Sequence, residues 1–173
     1  MTRAVVAAIG EDRPGLVNDL AKLALDLKLS IEDSRMTVLG GEFAVLMSVS
    51  GSGLALARLE DKLGQLARDN GLAYLLRGTG EREGVVGCLP YTVSVTSMDH
   101  PGIVYAVASF FSSRNINIHN LDTVTERAPH TGTPIFSLAM EVEIPPSVRI
   151  AELRDAFFYF CDDRDLDAEF RPA

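Results

Sequence analysis

The segment Asp12-Arg13-Pro14-Gly15-Leu16-Val17 returns 87 residues later as Asp99-His100-Pro101-Gly102-Ile103-Val104. At the same spacing, Ser30-Ile31-Glu32-Asp33 falls on Asn117-Ile118-His119-Asn120. Farther along, FAVLMSV (Phe43 to Val49) aligns with FSLAMEV (Phe136 to Val142) at a spacing of 93. The six added residues fall in ERAPHTGTP, whose Pro, Gly and Thr content marks an enlarged hairpin loop. A spacing that holds over two separate stretches and shifts at a turn is a duplication. It constrains this chain of 173 residues to two small domains built alike.

Periodicity gives the contents of each repeat. AVVAAIG reads as a short buried strand, and Leu16, Val17, Leu20, Leu23, Ala24 and Leu27 form one apolar helical stripe. SIEDSRMTVL alternates as a strand, Gly40-Gly41 is a tight turn, and EFAVLMSVS is the return strand. A second helix carries Leu56, Leu59, Leu63 and Leu66 on one face and stops at Asn70-Gly71, and LAYLLRG is the last strand. The second repeat gives the same order, with its first helix expected over Pro101–Arg114. Each unit is βαββαβ, the α+β ferredoxin-like pattern of an antiparallel sheet with helices on one face. The expected domains are residues 1–78 and 89–173, joined by a glycine- and charge-rich linker at 79–88.

Charge narrows the partners. A formal net charge of −8 argues against direct binding to nucleic acid or to an anionic membrane, since both call for a basic face. No apolar run approaches the roughly 18–20 residues needed to span a bilayer, and the start of the chain lacks the pattern of a signal peptide. A cytoplasmic location is expected. Cys88 and Cys161 stand far apart, as free thiols do in a reducing compartment. Cys161 lies in the aromatic run FFYFC and reads as core. Phe157, Phe158, Tyr159 and Phe160 exceed what one helix face can bury on a sheet, so part of that run is expected to meet another unit or chain. His100 and His119, with Asp99 and Asn120, match no zinc spacing, and no metal or cofactor is expected. Arg35 reads as a solvent-facing or paired arginine.

The repeated corner is where binding chemistry is expected. Proline suits the first turn of a helix, where its missing N–H had no partner. The N–H groups of Gly15, Leu16 and Val17 then point out of the helix end, backed by the positive end of the dipole. Glycine lets a ligand approach the backbone closely. The longer phosphate-binding motifs are absent, and an acid, Asp12 or Asp99, opens the corner instead. A second polar group stands where the next strand begins: Ser30, Glu32 and Asp33 in the first unit, and Asn117, His119 and Asn120 in the second. The two groups lie at opposite ends of one helix. They meet around one ligand only if units pair side by side, sheet edge to sheet edge, with opposed helices. Amide donors for a carboxylate and oxygens for an ammonium describe an α-amino acid site.

These residues resemble a known family. A βαββαβ unit opening with Asp-x-Pro-Gly and followed by Asn-Ile before its second strand resembles the ACT domain, a regulatory module that binds amino acids between paired domains. EDRPGLVNDLA followed by IEDSRMTVLGGEFAVLMSVSG is further similar to the tandem ACT proteins that repress the glycine cleavage system. The resemblance implies that the corner holds a ligand carboxylate and the start of the second strand its amine or side chain. Carried residue by residue, it implicates Asp12, Pro14, Gly15, Leu16, Ser30 and Ile31, and Asp99, Pro101, Gly102, Ile103, Asn117 and Ile118. Ser30 departs from the family asparagine that Asn117 keeps.

The resemblance also implies a mechanism. The expected protein is a non-enzyme and a homodimer, which binds an amino acid such as glycine or serine. It represses indirectly, by contacting a DNA-binding transcriptional activator. The alternative is an ACT-type oligomerisation or regulatory module controlling an amino-acid or one-carbon metabolic enzyme. No catalytic constellation remains outside the two units.

Overall fold

In a computed structural model that describes residues 1–81 and 87–173, the expected strands and helices form, and alternation decides which sheet face lies under the helices. Along β1 (Thr2–Glu11), Ala4, Val6 and Ala8 are buried beneath α1 (Leu16–Asp26) and α2 (Gly53–Asn70). The sheet is completed by β2 (Ser30–Leu39), β3 (Glu42–Gly51) and β4 (Ala73–Thr79), in the order β2-β3-β1-β4. Every pairing is antiparallel. The second unit repeats the plan with β5 (Leu89–Met98), α3 (Ile103–Ser112), β6 (Asn117–Arg127), β7 (Pro134–Ile144), α4 (Ile150–Asp162) and β8 (Asp167–Pro172). Its order is β6-β7-β5-β8, again fully antiparallel. The chain divides at Met1–Glu83 and Gly84–Ala173. Residues 82–86 of the linker expected at 79–88 lie outside the described residues, and Thr79 is the last residue of β4.

The two cores use different side chains. The first is aliphatic, with Leu16, Leu20, Leu59 and Leu63 from the helices on Val6, Val45, Met47 and Val49. The second is aromatic, with Phe110, Phe111, Phe157 and Phe170 beside Val93, Leu138 and Met140. Each fully buried side chain of this size contributes roughly 1.5–3 kcal/mol. The run Phe157–Phe160 is mostly absorbed within its own unit. Phe157 is fully buried, Phe158 packs on the same core, and Phe160 lies 5.1 Å from the Phe110 ring. Tyr159 alone faces outward, at 76% exposure.

The first helices begin later than the sequence indicates. Gly15 and Gly102 are the N-caps, with φ of 97° and 100°, so Pro14 and Pro101 stand before the helix and not in its first turn. The left-handed glycine turns the chain from strand to helix, a conformation a Cβ would strain. Each of the four described helices is followed within three residues by a left-handed one: Lys28, Gly71, Asn115 and Asp165. After each, Leu29, Leu72, Ile116 or Leu166 donates its N–H back across the last turn and packs inward. Among the described residues, no helix is long and apolar enough to cross a membrane.

Candidate functional site

At the first corner, β1 ends at Glu11 and the chain reaches α1 through Asp12, Arg13, Pro14 and Gly15. The first bond within the helix runs from the Asp19 N–H to the Gly15 carbonyl, at 2.8 Å. The N–H groups of Leu16, Val17 and Asn18 therefore precede the helical ladder, and no side chain caps the end. The second corner is the same: the Ala106 N–H reaches the Gly102 carbonyl at 2.9 Å, and no side chain caps Ile103, Val104 and Tyr105. Both ends present amide donors backed by the positive end of a helix dipole.

The flanks of the two corners differ. Arg13 folds over the first, donating to the Pro14 carbonyl at 3.2 Å, to Asp19 at 2.9 Å and to the Asn70 side-chain oxygen. A Cβ placed on Gly15 would lie 3.7 Å from that guanidinium. His100 holds the place of Arg13 in the second unit and, among the described residues, makes a single contact, to the Pro101 carbonyl at 3.2 Å. A Cβ on Gly102 would meet nothing within 4 Å. Beside this corner lies an open hollow of about 390 Å³, lined by His100, Arg164, Asp165 and Asp167 among others. It offers charges of both signs beside His100.

The strand starts make the second group. Between Ile31 and Asp33 the β2–β3 register shifts, so Glu32 is bulged out of the ladder, and His119 is bulged at the matching place between Ile118 and Asn120. A bulge re-aims one side chain. Glu32 Oε2 lies 2.8 Å from Arg3 Nε, and Arg3 Nη1 lies 2.6 Å from Glu81. A hydrogen bond from Ser50 is the main cause that holds the Glu32 carboxyl below its ordinary range; burial opposes it, and the Arg3 guanidinium adds to the lowering. Hydrogen bonds to Glu81 and Glu32 raise Arg3 in turn. In the second unit Asn117 Nδ2 donates to Glu143 Oε2 at 3.1 Å, and His119 Nδ1 lies 3.9 Å from Glu143 Oε1. The polarity is exchanged: an acid on the bulge meets a base from β1 in one unit, and a histidine on the bulge meets an acid from β7 in the other.

Asp12, Pro14, Gly15 and Leu16 thus stand together, as do Asp99, Pro101, Gly102 and Ile103. Ser30 and Ile31, and Asn117 and Ile118, stand at the far end of the same helix. Eleven helical residues separate the two groups in the first unit, roughly 16 Å of rise, so neither unit closes a ligand site from its own residues. Sequence reasoning did not find Arg3, Ser50, Glu81 and Glu143 at the strand starts, or Asn70 and Arg164 near the corners. The alignment of FAVLMSV with FSLAMEV, carried one residue on, would have placed Ser50 against Glu143. Burial pushes the Cys161 thiol up to about 11, which leaves it protonated and inert at neutral pH. Among the described residues, no group of His, Cys, Asp and Glu is arranged to hold a metal ion.

Comparison with known proteins places this architecture. Residues 2–75 match the ACT domain family. The glycine cleavage system transcriptional repressor of Escherichia coli (strain K12) is 28% identical over 159 residues, covering 92% of this chain and 84% of that protein. A crystal structure of a candidate glycine cleavage system transcriptional repressor superposes with a TM-score of 0.74 at 25% identity, covering 98% of this chain and 96% of the other. An unknown protein from Galdieria sulphuraria gives a TM-score of 0.79 at 26% identity, covering 99% and 98%. None of these three is named as an enzyme. With the Asp-x-Pro-Gly corner and the βαββαβ topology present in both units, the chain belongs to the ACT-domain proteins and is related to the glycine cleavage system transcriptional repressor.

Proposed function

We propose that this chain is an amino-acid-responsive regulator without enzymatic activity, which represses the glycine cleavage system indirectly through a DNA-binding activator. The observation that carries the ligand reading is the pair of glycine-capped helix ends whose amide donors no side chain caps. Such an end receives a carboxylate, and acidic or amide side chains at a strand start receive an ammonium. The second corner is the better receptor, because no arginine covers it and a hollow adjoins it. The missing half of the ligand shell comes from outside the unit that supplies the corner. Similarity to the repressor over most of the chain, and a net charge of −8, support action through a protein partner. Regulation requires that the ligand bind the partner-bound and free states with different affinity.

Calorimetric titration of the whole chain with glycine, serine and the other amino acids tests this. Binding at or below millimolar concentration is expected, weakened at least tenfold by Gly102→Ala, with a melting curve to confirm that the variant folds. If no amino acid binds at millimolar concentration, the sensing role is abandoned in favour of an assembly module. Unchanged affinity in a folded Gly102→Ala protein would move the site elsewhere.

A further inference from the structure

The run in β1 reads as a strand buried on both faces, yet the side turned away from the helices is open. Val5 and Ala7 are half-buried there and Ile9 is 48% exposed. On the neighbouring strands Leu46 is 55% and Leu75 63% exposed. Ala7, Ile9, Leu46 and Leu75, with Ala44, line one shallow apolar depression. The duplicated unit serves as a control, because its matching positions are Thr92, Ser94, Thr96, Ser137, Ala139 and Glu169, all polar but for one alanine, as on a face adapted to water. An apolar sheet face of this kind marks an interaction site.

The register shows what fits it. Four rows cross the open face from β2 through β3 and β1 to β4. The first is Ser30, Ser50, Arg3, Thr79, and the second is Asp33, Ser48, Val5, Arg77. The third is Arg35, Leu46, Ala7, Leu75, and the fourth is Thr37, Ala44, Ile9, Ala73. A two-fold axis parallel to the strands, midway between β3 and β1, lays each row on itself in reverse. Leu46 then faces Ala7 of the second copy, and Ile9 faces Ala44, a large side chain over a small one each time. Asp33 faces Arg77, and Arg77 makes no ion pair among the described residues of its own chain. Among the described residues Asp33 is held by the exposed Arg35 at 2.8 Å, so it can accept a second guanidinium. Three strands of ten residues and one of seven, about 4.8 Å apart and rising roughly 3.3 Å per residue, present roughly 600 Å² of projected sheet. That is close to the roughly 800 Å² per partner of a standard interface.

We infer that the open face of the first sheet is a homodimer interface, closed face to face on a second copy in the register Leu46–Ala7, Ile9–Ala44 and Asp33–Arg77. Amino-acid binding at the corners is not needed for it to close. Sedimentation equilibrium of the full chain across the micromolar range tests it, with circular dichroism of every variant. The wild type is expected to be a dimer. Leu46→Asp is expected to raise the dissociation constant at least a hundredfold. Asp33→Arg and Arg77→Asp are each expected to raise it about tenfold, while the double reversal restores it, because the exposed pair is then rebuilt with its signs exchanged. A wild type that stays monomeric at tens of micromolar overturns the inference. So does a dimer indifferent to Leu46→Asp, or a double reversal that adds the two losses.

Discussion

The two units share their topology, the φ of their corner glycines and the place of their bulges, but they differ in what they leave uncovered. The first has an aliphatic core and an apolar open sheet face, with an arginine folded over its corner. The second has an aromatic core, a polar open face and an uncovered corner. Backbone devices survived the duplication because each is needed to fold the unit. The surfaces diverged because a pair of units needs each surface only once. On the two proposals above, the first unit serves assembly and the second ligand binding.

Core substitutions give the largest expected effect. Phe157 is fully buried and touches Phe110, Phe111 and Phe170, with ring centroids 5.2–6.0 Å apart. Phe157→Ala should destabilise the second unit by about 3–5 kcal/mol. Leu63→Ala, at the corresponding helix face of the first unit, should cost about 2–5 kcal/mol there. Chemical denaturation followed by tyrosine emission and circular dichroism measures both. If each variant shifts a single shared transition, the units are energetically coupled, and the comparison must be drawn for the pair.

The corner glycines come next. Gly15→Ala and Gly102→Ala both force a Cβ into a φ near 100°, at a cost of roughly 1–3 kcal/mol each. Equal losses on thermal melting would show that the conformation alone sets the cost. A larger loss at Gly15 would show that Arg13, 3.7 Å from the new Cβ, tightens the first corner.

Much of this fold was legible because duplication prints each signal twice. Asp-x-Pro-Gly at a strand end, the turn at Gly40-Gly41 and the stop at Asn70-Gly71 use residue types whose backbone preferences are strong. The bulges at Glu32 and His119 were not legible, since no side-chain type marks a bulge that lacks glycine. The placement of Pro14 ahead of the helix was missed because proline is equally at home at the first helical position and in the turn before it. The open face was half visible. β1 is apolar at both parities while YTVSVTS alternates, but a continuous apolar run says only that both faces avoid water, not what covers the second. The candidate site divided in the same way. The corner was readable from glycine and proline, whereas Arg3, Ser50 and Glu81 reach Glu32 only through strand register, which sequence does not reveal.

Helix endings give a smaller effect. Lys28 and Asn115 occupy matching left-handed positions, with φ of 55° at both. Asparagine tolerates this conformation and lysine does not. Lys28→Gly is expected to stabilise the first unit by up to about 1 kcal/mol, and Asn115→Gly to leave the second nearly unchanged, because glycine's unfolded-state entropy offsets most of the relief. Thermal melts of the two variants decide it. Equal gains would mean that the asparagine is as strained as the lysine.

The smallest effect concerns the exchanged charges at the strand starts. The Glu32 carboxyl is held low in the folded chain by Ser50 and Arg3, so the unfolded chain binds the proton more readily. A carboxyl depressed in this way stabilises the fold above its unfolded value of about 4.3, and the contribution is lost as pH falls through the lower folded value. Arg3 stays charged throughout that range and adds no acid dependence of its own. The wild-type melting temperature should therefore fall more steeply between neutral pH and strong acid than that of Glu32→Gln, and the two curves should converge at the acid end.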